Sequence, residues 1–140
     1  MNLTRRNVLT VGTAAFAATA FAGLPAFASA TDDAIAALTG GAEMGEGAIT
    51  LTAPEIAENG NTVPISVSAP GAVAVTFYAD GNPTPAVATV KFGPLNATRS
   101  ASTRIRLAGT QNVVAVAEME DGSFQMAKAE VKVTIGGCGG

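Results

Sequence analysis

An all-β sandwich is the fold this sequence predicts, and three observations predict it. From Ala48 onward apolar residues recur at every second position, the spacing of strands with one buried face. Turn signals at Pro70-Gly71, Asp80-Gly81-Asn82-Pro83, Gly93-Pro94 and Asp121-Gly122 interrupt that pattern at short intervals. The alternating body is roughly 90 residues long and holds about seven such segments, which is the rhythm of an immunoglobulin-like antiparallel sandwich. A barrel is the alternative that the same pattern allows. No internal repeat or linker divides the body, so residues 31–135 are expected to form one domain.

The elements follow in chain order. Thr31-Asp32-Asp33 is placed to cap a short helix over Ala34 to Leu38, with its acids near the positive end of the helix. Gly40-Gly41 would stop it, and Glu43 to Gly47 reads as a mobile connection. Ile49 and Leu51 alternate with Thr50 and Thr52 until Pro54. Val63, Ile65 and Val67 form the next alternating set; Pro64 within it lacks a ladder donor and predicts an edge position or a bulge. Val73, Val75 and Phe77 continue the pattern, and Val87 to Phe92 is a further short strand. In Ser102 to Leu107, Ile105 and Leu107 point one way, and Arg104 and Arg106 the other. Val113 to Met119 is the most apolar run and suits a central strand. Phe124 to Ile135 is the last strand, with Val131, Val133 and Ile135 expected inside and Lys132 and Thr134 outside.

Residues 1–30 read as an export signal rather than as part of the fold. Arg5-Arg6 precede an apolar run from Val8 to Phe27, and Ala28-Ser29-Ala30 offers the small residues that a signal peptidase accepts. Paired arginines at this spacing resemble a twin-arginine (Tat) signal, although Val8 stands where that motif more often has Phe. A membrane anchor is the other reading of such a run, but the frequent Ala, Gly and Thr and Pro25 oppose a stable span. The expected location is therefore a bacterial periplasm, with no membrane segment in the exported form. Loss of Arg5 and Arg6 would take the net charge from −3 to −5.

Composition removes most catalytic chemistry. The chain contains no His, hence neither the commonest general base nor the commonest neutral metal ligand. Ser100 and Ser102 cannot belong to a Ser-His-Asp triad for the same reason. Glu43, Glu46, Glu55 and Glu58 match no calcium loop, and Gly40-Gly41 lacks the Lys and Ser/Thr of a phosphate loop. Arg99, Arg104 and Arg106 are the basic cluster of the body; strand alternation already accounts for them as a solvated face. An acidic net charge gives no ground for nucleic-acid binding. No metal, no cofactor and no catalytic residue is expected.

What remains is Gly136-Gly137-Cys138-Gly139-Gly140 at the C-terminus. Cys138 is the single cysteine, so it cannot close an internal disulfide. Four glycines around it predict a thin, flexible arm over residues 136–140. Three residues beyond Ile135 place the thiol roughly 10 Å from the sandwich, at 3.3–3.6 Å per extended residue. No helix N-terminus, metal or nearby cation is evident to favour the thiolate, and the terminal carboxylate of Gly140 disfavours it. A thiol that is mobile and unactivated suits covalent carriage better than catalysis, with activation supplied by the proteins it visits. Three rivals stand beside this: an intermolecular disulfide that tethers the chain to a partner, a ubiquitin-like tail activated at Gly140, and an incidental cysteine on a loose tail.

The terminal stretch from Val131 to Gly140 is similar to the C-terminus of the SoxY family, the sulfur-carrying subunits of the periplasmic thiosulfate-oxidation system. Ser102 to Leu107, Gln111 to Ala117 and the Tat-like leader resemble that family too. The resemblance implies a heterodimer with a SoxZ-like subunit. It implies transient encounters with a c-type cytochrome complex that couples thiosulfate to the thiol, with a sulfate-releasing hydrolase and, in some organisms, with a sulfur dehydrogenase. It makes Cys138 the covalent attachment site for the sulfur intermediates, and Gly136, Gly137, Gly139 and Gly140 the arm.

Overall fold

The computed structural model describes residues 26–135. The expected export leader (residues 1–30) lies outside the described residues up to residue 25, and the expected arm at residues 136–140 lies outside them altogether. One helix, α1 (Ala26–Thr39), precedes nine strands: β1 (Met44–Glu46), β2 (Thr50–Thr52), β3 (Ile56–Ala57), β4 (Val63–Ser68), β5 (Ala72–Ala79), β6 (Ala86–Lys91), β7 (Ser100–Ile105), β8 (Gln111–Met119) and β9 (Phe124–Val133). The larger sheet has the order β1-β9-β8-β5-β6, with β3 also paired to β9; the smaller has the order β2-β4-β7.

Alternation in the sequence translates directly into the main core. Val63, Ile65 and Val67 of the small sheet face Val75, Phe77 and Val113 of the large one, all at most 3% exposed. Phe77 is fully buried there, a site worth roughly 1.5–3 kcal/mol of apolar burial. A second core lies on the other side of the large sheet. There Ile35 of α1 covers Tyr78, Val114 and Val116. The molecule therefore has three layers: helix, large sheet and small sheet. Strand β8 is apolar on both faces because it is central and covered twice, by the small sheet on Val113 and Ala115 and by α1 on Val114 and Val116.

The expected seven strands are all present, and the all-β sandwich with an N-terminal helix is the observed fold. Five local readings change. The helix is longer than Ala34 to Leu38, and Thr31 lies buried within it rather than capping it. Ala26 to Ala30 is rich in alanine, the strongest helix former, which extends the helix upstream. It still ends at Gly40 and Gly41, whose φ values of 67° and 82° suit glycine. Glu43 to Gly47 is not a loose connection: Met44–Glu46 forms β1, parallel to Phe124–Met126 of β9. Ile56–Ala57 adds β3, also parallel to β9, so the sandwich is not purely antiparallel.

The remaining two concern side-chain facing. The β5–β8 register shifts between Ala72 and Ala74. Such a bulge flips the facing of the strand, so Ala72 is buried and Val73 is 37% exposed. Ile135 is 66% exposed rather than inside, because β9 ends at Val133 and the core ends with it. Pro64 lies in a strand that is central in its sheet, yet β2 pairs only with Ser66, Val67 and Ser68. At Pro64 the ladder is one-sided, as an edge position requires.

Candidate functional site at the root of the C-terminal arm

Cys138 and its four glycines lie outside the described residues, but the point from which they depart is well defined. Strand β9 carries the chain out of the sandwich and is held on both edges. On one edge it pairs antiparallel with β8 from Gln111↔Val131 to Glu118↔Phe124. On the other, the segment 55–60 runs beside it. Lys132 N donates to Glu55 O at 2.9 Å, Thr134 N to Ala57 O at 3.1 Å, and Gly60 N to Ile135 O at 2.7 Å. Thr134 Oγ1 also donates to Glu58 O at 3.1 Å. The backbone is thus fastened up to Ile135, three residues before the thiol-bearing residue.

A polar network supports this end of the molecule. Gly60 O accepts from Leu107 N at 2.8 Å, which joins the 55–60 segment to the connection between β7 and β8. Thr110 in that connection accepts a hydrogen bond from Val133 N at 3.0 Å. Below it, Gln111 Nε2 donates to Asn82 Oδ1 at 3.0 Å, and Gly81 N donates to Gln111 Oε1 at 2.8 Å. Asn82 further accepts from Ala108 N at 2.9 Å and donates to Arg106 O at 2.8 Å. Asp80 receives both Asn112 N and Asn112 Nδ2 at 2.9 Å. The Asp80-Gly81-Asn82-Pro83 turn is therefore a clamp on the loop beside the arm root. Buried polar groups matched in this way hold a single geometry.

The electrostatics of the root are acidic. Glu55, Glu58 and Glu130 are exposed around it, against Lys132. A shallow hollow of about 350 Å³ there is lined by Glu55, Ile56, Glu130 and Lys132. Thiolates form readily beside positive charge, and this surface supplies no surplus of it. Among the described residues no group of Cys, Asp or Glu could hold a metal ion.

The three arginines of the body do not form one site. Arg99 turns inward: its Nη1 donates to Ala72 O at 2.9 Å, and its Nη2 pairs with Glu120 at 3.1 Å. Its φ of 49° makes it the one non-glycine residue in the left-handed region among those described. Arg104 on the outer face of β7 and Arg106 just past its end are both exposed, as alternation predicts. Arg104 borders a second hollow of about 530 Å³, with Pro54, Pro64, Ser66 and Ser102, on the outside of the small sheet. No helix of the described residues is long and apolar enough to cross a membrane.

Sequence reasoning missed what fixes the end of β9: Thr134, Thr110, Gly60, Asn82 and Gln111. The available signal was Gln111, a polar residue opening the most apolar strand, where a buried amide demands partners.

Comparison with known proteins bears on the whole of this architecture. Residues 35–138 match the family described as "Sulfur oxidation protein SoxY". The solved structure of the sulfur carrier protein SoxY from Chlorobium limicola f. thiosulfatophilum is 42% identical, with a TM-score of 0.66 over 77% of this chain and 99% of that one. A superoxide reductase (neelaredoxin) from Ignicoccus hospitalis is 20% identical, with a TM-score of 0.53 over 62% of this chain and 80% of its own. The hypothetical protein PH1083 from Pyrococcus horikoshii is 13% identical, with a TM-score of 0.51 over 68% of this chain and 99% of its own. These last two share the fold alone. No curated protein matches the sequence. A family match over three quarters of the chain, reaching residue 138, agrees with a relative of 42% identity across nearly its full length: this chain belongs to the SoxY family.

Proposed function

We propose that this protein carries sulfur covalently on Cys138 and presents it to the enzymes of thiosulfate oxidation. The observation that carries the reading is the 42% identity to a solved sulfur carrier protein across almost all of that protein. The absence of His supports a non-catalytic role, because it removes the usual means of activating a nucleophile on this chain.

In this reading the Cys138 thiol and thiosulfate are joined oxidatively. The S–H bond is lost, a sulfur–sulfur bond forms to the sulfane atom, and a proton and two electrons leave, the electrons to a c-type cytochrome complex. Water then splits the terminal sulfone as sulfate with release of two protons, and a persulfide anion stays on Cys138. A sulfur dehydrogenase branch would oxidise that sulfane, and hydrolysis would return the thiol. The chain contributes the attachment atom and a fixed point of departure; the enzymes contribute activation. The leader places this chemistry in the periplasm through the Tat route, and a SoxZ-like subunit completes a heterodimer.

Intact-mass analysis of the full chain after exposure of producing cells to thiosulfate tests the proposal. The expected result is mass additions in whole sulfur atoms or sulfonates that map to the C-terminal peptide, vanish on reduction and are absent in Cys138→Ser. Adducts on Cys138→Ser, or thiosulfate oxidation supported by that variant, would refute it.

A further inference from the structure

The expected cut of the export signal falls inside a packed helix. Ala28-Ser29-Ala30 lies within α1 (Ala26–Thr39), so the bond between Ala30 and Thr31 is helical on both sides. An α-helix commits the Ala30 carbonyl to the N–H four residues on, that of Ala34. From Thr31 onward α1 is fastened to the large sheet. Thr31 is 2% exposed, Ile35 8% and Thr39 9%, a buried stripe at four-residue spacing. Ile35 covers Tyr78, Val114 and Val116, with Ala34 packed beside it. The first buried residue of the stripe is therefore the one that follows the bond to be cut.

The residues after that bond also encode a second helix start. Thr followed by two acids is the pattern of a helix N-terminus. In α1 the acids Asp32 and Asp33 are instead its seventh and eighth residues, exposed and more than one turn from the positive end, where their charge does little for the helix. A cut after Ala30 would bring both into the first turn, where acids are favourable. We propose that the Ala30–Thr31 bond is closed inside α1, that removal of the leader waits for the N-terminal turns of α1 to lift from the large sheet, and that the helix then restarts at Thr31. A protease holds its substrate extended to reach a peptide carbonyl, so a bond in a docked helix is cut only from the opened state. Signal peptidase adds water across the Ala30–Thr31 amide, leaving a carboxylate on Ala30 and an ammonium on Thr31. Asp32 and Asp33, next in the chain, offset that new positive charge at the positive end of the restarted helix.

This inference rests on the export reading, and the test keeps the two apart. The intact mass of the exported protein comes first. A chain that begins at Thr31 supports the cut; one that retains the leader or begins elsewhere overturns that cut and this inference with it. The full-length precursor, purified folded from cells blocked in export, is then incubated with purified signal peptidase in detergent micelles. Wild type, Ile35→Ala and Val67→Ala are compared. Val67 is 3% exposed in the main core, on the other side of the large sheet from α1. Ile35→Ala should be cut about tenfold faster or more, because losing the buried side chain raises the population of the lifted helix. Val67→Ala weakens the body without loosening α1 and should be cut within about twofold of wild type. Equal rates for wild type and Ile35→Ala overturn the gate alone. An equal rise in Val67→Ala overturns it too, since the bond would then open only by unfolding of the whole body. The restart is read by urea denaturation at low ionic strength. Asp32→Asn combined with Asp33→Asn should lower the midpoint of the processed chain and leave that of the precursor in place. Equal shifts in both, or none in either, overturn the second start.

Discussion

Replacing Asn82 with alanine should loosen the end of the sandwich from which the arm departs. Asn82 is 8% exposed and its amide makes three hydrogen bonds: Nδ2 donates to Arg106 O, and Oδ1 accepts from both Ala108 N and Gln111 Nε2. After truncation Gln111 Nε2 keeps Gly109 O as a partner, but Arg106 O and Ala108 N are stranded in a half-buried setting. Each stranded backbone group costs about 1 kcal/mol or somewhat more, since water can reach the site only in part. The expected loss is about 2–3 kcal/mol, a substantial share of the roughly 5–15 kcal/mol that holds a domain folded. Urea denaturation followed by circular dichroism measures it, with an unchanged slope and a lower midpoint. The melting temperature should fall by about 8–12 °C for a domain of this size. Asn59→Ala is the control. It removes one exposed hydrogen bond, from Asn61 N at 2.9 Å, and should cost less than about 0.5 kcal/mol. If Asn82→Ala cost no more than Asn59→Ala, the turn would not be a clamp and the reasoning would fail.

Two further outcomes follow from other parts of the structure. Tyr78 is buried under α1, and that burial raises its pKa above the usual phenol value. The stabilisation of its neutral form is complete below pH about 10 and is lost as pH rises through the higher folded value, so stability should fall in that alkaline window. Tyr78→Phe should flatten the fall, and parallel slopes for both proteins would exclude Tyr78 as its source. Arg99 combines a left-handed backbone with a guanidinium bound to Ala72 O and Glu120. Arg99→Ala should cost about 1–2 kcal/mol by urea denaturation, and Arg99→Gly less, since glycine relieves roughly 1 kcal/mol of backbone strain. Equal losses would show that the conformation carries no strain.

Legibility in the sequence followed length and regularity. Ile105 and Leu107 against Arg104 and Arg106 could be read because alternation is a backbone property that needs no knowledge of neighbours. Strand β8 could be read as central because an unbroken apolar run must be covered on both faces. Strands β1 and β3 could not. At three and two residues they carry no period, and their formation depends on the free edge of β9, nearly eighty residues away in sequence. The bulge at Val73 was hidden for a related reason, since the sequence shows alternation but not its phase against the partner strand. Arg99 looked like a member of a basic cluster because spacing cannot report that a side chain turns inward. At the candidate site, Cys138 and its four glycines stand out in the sequence as residue types, and they lie outside the described residues. The root was not legible, because Gly60, Thr110 and Thr134 meet only after folding.

The double pairing of β9 also has a mechanical side. In the carrier reading proposed above, an enzyme that closes on the end of the chain and then departs would pull along the strand axis. Ladder hydrogen bonds lie across that axis, so the load falls on many of them together in shear rather than on one at a time, as it would if the strand peeled from an edge. The parallel partners β1 and β3 sit on the side where peeling would otherwise begin. Repeated capture and release can therefore be absorbed without unravelling the body, and the tension stops at the strand that leads to Ile135.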